Sequence, residues 1–370
     1  MRLFEKRSTC PAIMDLHRYL LNWYIIMTET LSDIGEFGLI ARIDDLLMKE
    51  GIQTPGMTMG IGDDAASFLP RAGYELVVTC DSVVEGRHYL PDRISPLDLG
   101  RRAMALNISD IGAVGGKPLF ALVSLGLKGD TPVANVEDMY RGFIAELNPF
   151  GASVIGGNLT KSGDGIFIDI TLIGEAEQGK IVRRSGARAG DAILVTGYPG
   201  RAAAGLQLLL NSRYTEDLSN HPLVRAYNTP SHRAHEGQAI AQSGCATSMI
   251  DTSDGFIGDM GHICRESGVG ALLVRERLPV GRDLRKVAGE LGLDPLDLVL
   301  KDSDDYELII TCSLGNVDRI RSAVSAISDV PVSEVGSITD ASGMIKLVFP
   351  DGTQRKIVPA GWDHFSKEGI

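Results

Sequence analysis

The residues of this chain best suited to chemistry are paired and clustered aspartates. Gly60-Ile61-Gly62-Asp63-Asp64-Ala65-Ala66 sets two adjacent acids in a glycine-flanked loop. Charge repulsion and desolvation make such a pair costly unless water or a cation screens it. Alone it reads as a solvated acidic turn. Similar turns recur, however: Thr79-Cys80-Asp81-Ser82, Asn107-Ile108-Ser109-Asp110, Ile250-Asp251-Thr252-Ser253-Asp254-Gly255 and Asp302-Ser303-Asp304-Asp305. Most follow or interrupt an apolar segment, where strand and helix ends place side chains in a cleft. Oxygen-only ligands of this kind suit Mg²⁺, which commonly accompanies phosphates.

Composition narrows the classes. The chain has 370 residues, enough for two domains with separate cores. Its 36 basic and 48 acidic residues give a net charge of -12. No basic stripe is present to release phosphate counterions, which argues against a nucleic-acid binder. An acidic protein that handles phosphates needs metal ions between itself and its ligand. The five cysteines (Cys10, Cys80, Cys245, Cys264, Cys312) are scattered and never form C-x-x-C. That speaks against a zinc site or a disulfide framework and fits a reducing cytoplasm. Cys80 reads as a small buried residue.

The run Tyr19-Leu-Leu-Asn-Trp-Tyr-Ile-Ile-Met27 is too short to span a bilayer, and Asn22 interrupts it. Arg2, Lys6 and Arg7 resemble the start of a signal peptide, but no small-residue cleavage site follows. Residues 1–26 are therefore expected to be an extension preceding a start at Met27. A first domain is expected over 27–182 and a second over 183–370, with no membrane association.

The acids need elements to carry them. Ile34, Phe37, Ile40, Ile43 and Leu47 have helical spacing across 34–48. Residues 75–79 read as a strand that delivers Asp81 at its end. Ser95-Pro96 is an N-cap followed by proline at the first helical position; that helix carries Asp110 and stops near Gly115-Gly116. Residues 119–125 read as a buried strand, and 136–147 as a helix ended by Asn148-Pro149. Residues 152–155 read as a strand emptying into Gly156-Gly157-Asn158, and 166–173 as a half-exposed strand. Charged and glycine residues collect at 176–190 and mark a boundary. Beyond it the spacing predicts strands at 192–196, 248–250, 271–274, 306–311 and 344–349. Helices are predicted at 200–210, 232–243, 256–266 and 317–327, and a polar loop over 211–232. Alternating strands and helices in both halves give an α/β or α+β protein of two domains.

Two lookalikes fail. Gly60-x-Gly62-x-x-Ala65 fits a loose dinucleotide fingerprint, but Asp63 and Asp64 would face the pyrophosphate. Gly174-x₄-Gly179-Lys180 resembles a P-loop, but Ile181 follows where Ser or Thr is required, and Glu175 and Glu177 would repel phosphate.

Taken in order, one set of motifs resembles a known family. It comprises Gly35-Glu36-Phe37, Gly62-Asp63-Asp64-Ala65-Ala66, Asp81-Ser82-x-x-Glu85-Gly86-x-His88, Asn107-x-Ser109-Asp110 and Gly156-Gly157. It continues with Arg184-Ser185-Gly186, Asp251-x-Ser253-Asp254-Gly255, Asp305-Tyr306-Glu307-Leu308 and Gly361-Trp362-Asp363-His364-Phe365. Over about residues 34–366 the series resembles the thiamine-monophosphate kinases of the aminoimidazole-ribonucleotide-synthetase-like superfamily.

The resemblance implies an N-terminal mixed sheet that forms a barrel with its twin in a homodimer, and an α/β C-terminal domain behind it. It implies ATP and several Mg²⁺ ions between the domains. Asp63, Asp64, Asp81, Asp110, Asp251 and Asp254 would hold metal, with Thr79 and Cys80 contributing through the backbone or the Thr79 hydroxyl. Asn158, a further expected metal contact, would also meet ATP with Arg184 and Ser253. His88, Asp304 and Trp362 would lie near thiamine monophosphate. Trp362 reads either as a ring stacked on the substrate or as a plug closing its domain, and Arg183 and Arg184 either as nucleotide contacts or as solvated linker charges. Two departures stand out: the family pattern has aspartate at Asn158, and a glycine-rich segment where this chain has Asp302-Ser303-Asp304.

The implied reaction is phosphoryl transfer from ATP to thiamine monophosphate. An ATP-dependent ligase or cyclase of the same superfamily, and a nucleotide-binding homologue with reduced catalysis, are the alternatives.

Overall fold

The computed structural model describes residues 29–163, 165–211, 217–301 and 303–358. The extension at 1–26, Asp302 and the ending that contains Trp362 lie outside the described residues.

A hairpin of β1 (Met57–Met59) and β2 (Ser67–Phe68) brackets the first acidic loop. Next come β3 (Tyr74–Val84), β4 (Lys117–Leu127), β5 (Ser153–Lys161) and β6 (Phe167–Glu177), which form a four-stranded sheet in the order β3-β6-β4-β5. Only its β4–β5 pair is parallel. Helices α1 (Leu31–Glu50), α2 (Pro96–Ala113) and α3 (Val133–Leu147) share a core with its inner face, built from Met104, Ile108, Val123, Phe143 and Ile170. The other face is open: on β3, Leu76, Val78 and Val84 keep 45%, 63% and 38% of their surface exposed. Strand alternation alone puts these residues opposite Val77, Thr79, Asp81 and Val83.

The second half is a seven-stranded sheet of β7 (Ala192–Thr196), β8 (Ala246–Asp251), β9 (Gly270–Val274), β10 (Leu308–Cys312), β11 (Val332–Thr339), β12 (Ile345–Val348) and β13 (Gln354–Ile357). Its order is β13-β12-β9-β11-β7-β10-β8, and only β9–β12 is parallel. Helices α4 (Arg201–Leu210), α5 (Pro222–Asn228), α6 (Ala234–Ser243), α7 (Phe256–Ser267), α8 (Arg282–Leu291), α9 (Pro295–Leu300) and α10 (Val317–Ser325) accompany it. Both faces are covered, by one core around Ile193, Phe256 and Leu273 and another around Leu194, Ile240 and Ile310. Hence β7 and β10 are buried at every position, and their sequences run apolar without alternation.

Helix α2 joins the halves. Its N-cap forms as the sequence predicts: Ser95 Oγ accepts the Asp98 amide at 3.1 Å, and Pro96 opens the first turn. At its far end α2 meets α6 through glycines. A Cβ on Gly112 would lie 2.4 Å from Ala234 Cα, and one on Gly237 2.1 Å from the Gly112 carbonyl oxygen. That approach carries Asn107, Ser109 and Asp110 to the end of β8.

Several expectations are corrected. Asp81 lies within β3, not at its end, because pairing with β6 continues to Val84. β5 does not empty at the glycine pair but continues through Asn158, which pairs with Ser124. Gly157 serves that close pairing, since a Cβ there would sit 1.8 Å from the Val123 carbonyl oxygen. The polar stretch 211–232 contains α5, begun by Pro222 and anchored by buried Leu223 and Val224. Helices α8 and α9 and strands β11 and β13 were not anticipated. Cys80 is exposed, not buried. No helix among the described residues is long and apolar enough to cross a membrane.

Candidate active site

Three elements converge on one cleft. β3 turns Thr79 and Asp81 inward, the later turns of α2 supply Asn107, Ser109 and Asp110, and β8 ends at Asp251 ahead of the loop to α7. Thr79 Oγ1 donates to Asp110 Oδ2 at 2.5 Å, and the Asp81 amide donates to Asn107 Oδ1 at 3.1 Å. Across the halves, Ser109 Oγ donates to Asp251 Oδ2 at 2.5 Å. The second oxygen of Asp251 is buried with no hydrogen-bond partner among the described residues. An orphaned anionic oxygen is costly unless a ligand satisfies it.

The acids repel one another. Burial first, then Asp110, Asp169 and Asp254, push Asp81 up to about 6. Burial and Asp110 push Asp251 up to about 7, against the Ser109 hydroxyl and Arg184. Burial also raises Asp110, while Thr79 and Arg184 pull the other way. Arg184 thus belongs to the cluster's field and lines a cleft of about 710 Å³ with Thr79, Asp110, Ile111, Met249 and His262.

Asp259, unanticipated from the sequence, shapes the loop before α7. Its Oδ2 accepts the amides of Ser253 and Asp254, each at 3.1 Å. Burial and repulsion from Asp251 and Asp254 raise it to about 8. Asp254, Asp259 and His262 bring ligand atoms within 4.8 Å of one another. The signal was the continuation Ser253-Asp254-Gly255-x₃-Asp259-x₂-His262, which puts Asp259 and His262 on one helix face.

A second loop, 303–307, is stitched to the first through Thr252. The Tyr306 amide donates to the Thr252 carbonyl at 2.9 Å, the Glu307 amide to Thr252 Oγ1 at 3.0 Å, and the Thr252 amide to the Glu307 carbonyl at 2.7 Å. Arg233 grips the Glu307 carboxylate with two bonds of 2.7 Å. Tyr306 has φ +53°, the only positive φ at a non-glycine among the described residues. Such strain persists only where its surroundings over-determine it. Asp304 in this loop is bonded to Arg102 of α2.

The other expected residues are dispersed. Asp63 and Asp64 stand exposed between β1 and β2, and neither is among the main charges acting on Asp81, Asp110 or Asp251. Asn158 is exposed on β5. Cys80 turns to the open face, its sulfur 3.7 Å from Asp169 Oδ2. His88 Nδ1 accepts the Val84 amide at 3.0 Å, which leaves its proton on Nε2 when the ring is neutral.

A family model described as AIR synthase related protein, N-terminal domain, matches residues 62–176. The thiamine-monophosphate kinase of Aquifex aeolicus is 33% identical over 335 residues, spanning 90% of this chain and 99% of that protein. The crystal structure of thiamine-monophosphate kinase from Stenotrophomonas maltophilia superimposes with a TM-score of 0.74 at 31% identity, over 86% of this chain and 97% of that one. AaThiL complexed with AMPPCP and TMP superimposes with a TM-score of 0.69 at 33% identity, over 91% and 99%.

Proposed function

The chain belongs to the thiamine-monophosphate kinase family, and from that premise we propose that it transfers the γ-phosphoryl group of ATP to thiamine monophosphate, giving thiamine diphosphate and ADP. The observation that carries this reading is the meeting of Asp81 and Asp110 from one half with Asp251 and Asp254 from the other, beside Arg184.

An acceptor phosphate has its second pKa at about 6 and is largely ionised at neutral pH. It needs no strong base; it needs its charge offset so that its oxygen can approach the γ-phosphorus in line with the leaving ADP oxygen. An all-oxygen donor set with a partnerless buried carboxylate oxygen fits hard divalent cations such as Mg²⁺. Asp81, Asp110, Asp251 and Asp254 would hold them, with Asp63, Asp64, Thr79, the backbone carbonyl of Cys80 and Asn158 as further contacts. Bound there, the cations would supply charge neutralisation and orientation to the phosphates.

The chain's own groups do the rest. Thr79 and Ser109 orient Asp110 and Asp251 and favour their ionised forms. Arg184 and Ser253 contact the nucleotide phosphates, and the apolar wall around Ile111 and Met249 excludes water from its base. His88, Asp304 and Trp362 receive the acceptor. On this reading the chain divides into an N-terminal domain over 27–182 and a C-terminal one over 183–370. The open face with Leu76, Val78 and Val84 pairs with its twin in a cytoplasmic homodimer.

The test is to incubate the purified chain with ATP, Mg²⁺ and thiamine monophosphate and to separate the products by chromatography. Thiamine diphosphate should form only when all three are present. Turnover of a purine-pathway amide with none of thiamine monophosphate would favour the ligase alternative.

A further inference from the structure

Arg102 is the largest fully buried side chain among the described residues, and it is a cation. It stands on α2, two turns before Asp110, and its bonds cross to the other half of the chain. Nη2 donates to Asp304 Oδ2 and Nη1 to the Tyr227 carbonyl, while the guanidinium carbon lies 4.8 Å over the Tyr227 ring. Arg102 is 1% exposed, whereas Asp304 keeps 39% of its side-chain surface open. The contact therefore ties Asp304 to the buried guanidinium through one oxygen, while part of the side chain stays open to solvent.

The loop around Asp304 is held in one conformation throughout. Ser303 Oγ accepts the Ala203 amide at 3.0 Å, Asp305 accepts the amides of Gly200 and Ala202, and Tyr306 carries the strained φ. Tyr306 packs its ring into the core of the first half, and Asp304 bonds its carboxylate to Arg102 there.

We infer that Arg102 is a positioning residue for the acceptor: by holding Asp304 it sets the orientation in which that carboxylate meets the amino group of thiamine monophosphate. The inference rests on the function proposed above and on the acceptor role given there to Asp304. The guanidinium is itself fixed, Nη1 by the Tyr227 carbonyl and its plane by the Tyr227 ring, so the single Nη2 bond aims one Asp304 oxygen, which a flexible lysine ammonium does not. Because α2 also carries Ser109 and Asp110, one rigid helix would register the acceptor end of the site against its metal end.

The test is steady-state kinetics on the full chain, with melting temperatures, for Arg102→Met, Arg102→Lys, Asp304→Asn and the double variant Arg102→Met/Asp304→Asn. Arg102→Met should raise KM for thiamine monophosphate at least about tenfold and leave KM for ATP within about twofold. Arg102→Lys should fall between, and it reads the same split if the methionine variant does not fold. In the Asp304→Asn background, adding Arg102→Met should shift KM by less than about twofold, because the residue acts through Asp304. A parallel rise in both KM values, or an equal shift in both backgrounds, would overturn the inference while leaving the function intact. An unaltered chain that does not phosphorylate thiamine monophosphate would overturn the function and this inference with it.

Discussion

Ser109 and Asp251 meet across the two halves of the chain, the buried hydroxyl on α2 donating to the buried carboxylate at the end of β8 at 2.5 Å. The bond favours the ionised form of an acid that burial would otherwise hold neutral. Ser109→Ala should therefore raise the Mg²⁺ concentration for half-maximal turnover and lower turnover about tenfold, the scale of one hydrogen bond to a charged group. A Mg²⁺ titration superimposable on that of the unaltered protein would show that the contact does not tune Asp251.

Removing a carboxylate should separate activity from stability. Asp110→Ala and Asp251→Ala should each cost at least about 10²-fold in turnover, as lost electrostatic stabilisation does. Their melting temperatures without Mg²⁺ should hold or rise, because like charges are relieved. If both variants keep near-normal turnover at saturating Mg²⁺, the site is misplaced.

The same acids set a pH dependence. Burial and neighbouring acids raise Asp81 to about 6 and Asp259 to about 8. The unfolded chain keeps aspartates near 3.9, so the folded metal-free protein binds more protons. Their contribution to stability is full below about pH 4 and is lost as pH rises through the folded values. The metal-free melting temperature should fall between about pH 4 and pH 8, and Mg²⁺, which competes with protons, should stabilise more at the alkaline end. Differential scanning calorimetry across that range checks it; a Mg²⁺ effect independent of pH would contradict the assignment.

What the sequence revealed depended on the range of the signal. The Ser95-Pro96 cap, the apolar periods and the acid-bearing strand and helix ends are local, and they placed Asp110 and Asp251 on the elements that carry them. Asp81 escaped in part, because strand pairing with β6 extends β3 past the point where the apolar run stops. Arg102 gave no signal: an arginine beside Arg101 on a helix reads as solvated, and only partners 125 and 202 positions away in sequence, Tyr227 and Asp304, make it a buried clamp. The end of β5 was misread for a related reason. The apolar run stops before the glycine pair, but pairing with β4 carries the strand on, and Gly157 lets it approach the Val123 carbonyl.

Trp362 lies outside the described residues, and kinetics can assign it. Trp362→Ala should raise KM for thiamine monophosphate and leave ATP binding nearly unchanged, if the ring contacts the acceptor alone. Equal loss of ATP affinity, or a collapse of the melting temperature, would identify the residue as a plug of its domain.

The central claim is direct transfer between two phosphates brought together by carboxylates from both halves of the chain. The measurement that tests it most directly follows label from γ-labelled ATP in the presence of Mg²⁺ and thiamine monophosphate, with the protein and the small molecules separated afterwards. The account predicts label in thiamine diphosphate, one ADP for each product molecule, and none on the protein. Label retained covalently by the protein, or ADP release that does not depend on thiamine monophosphate, would contradict it.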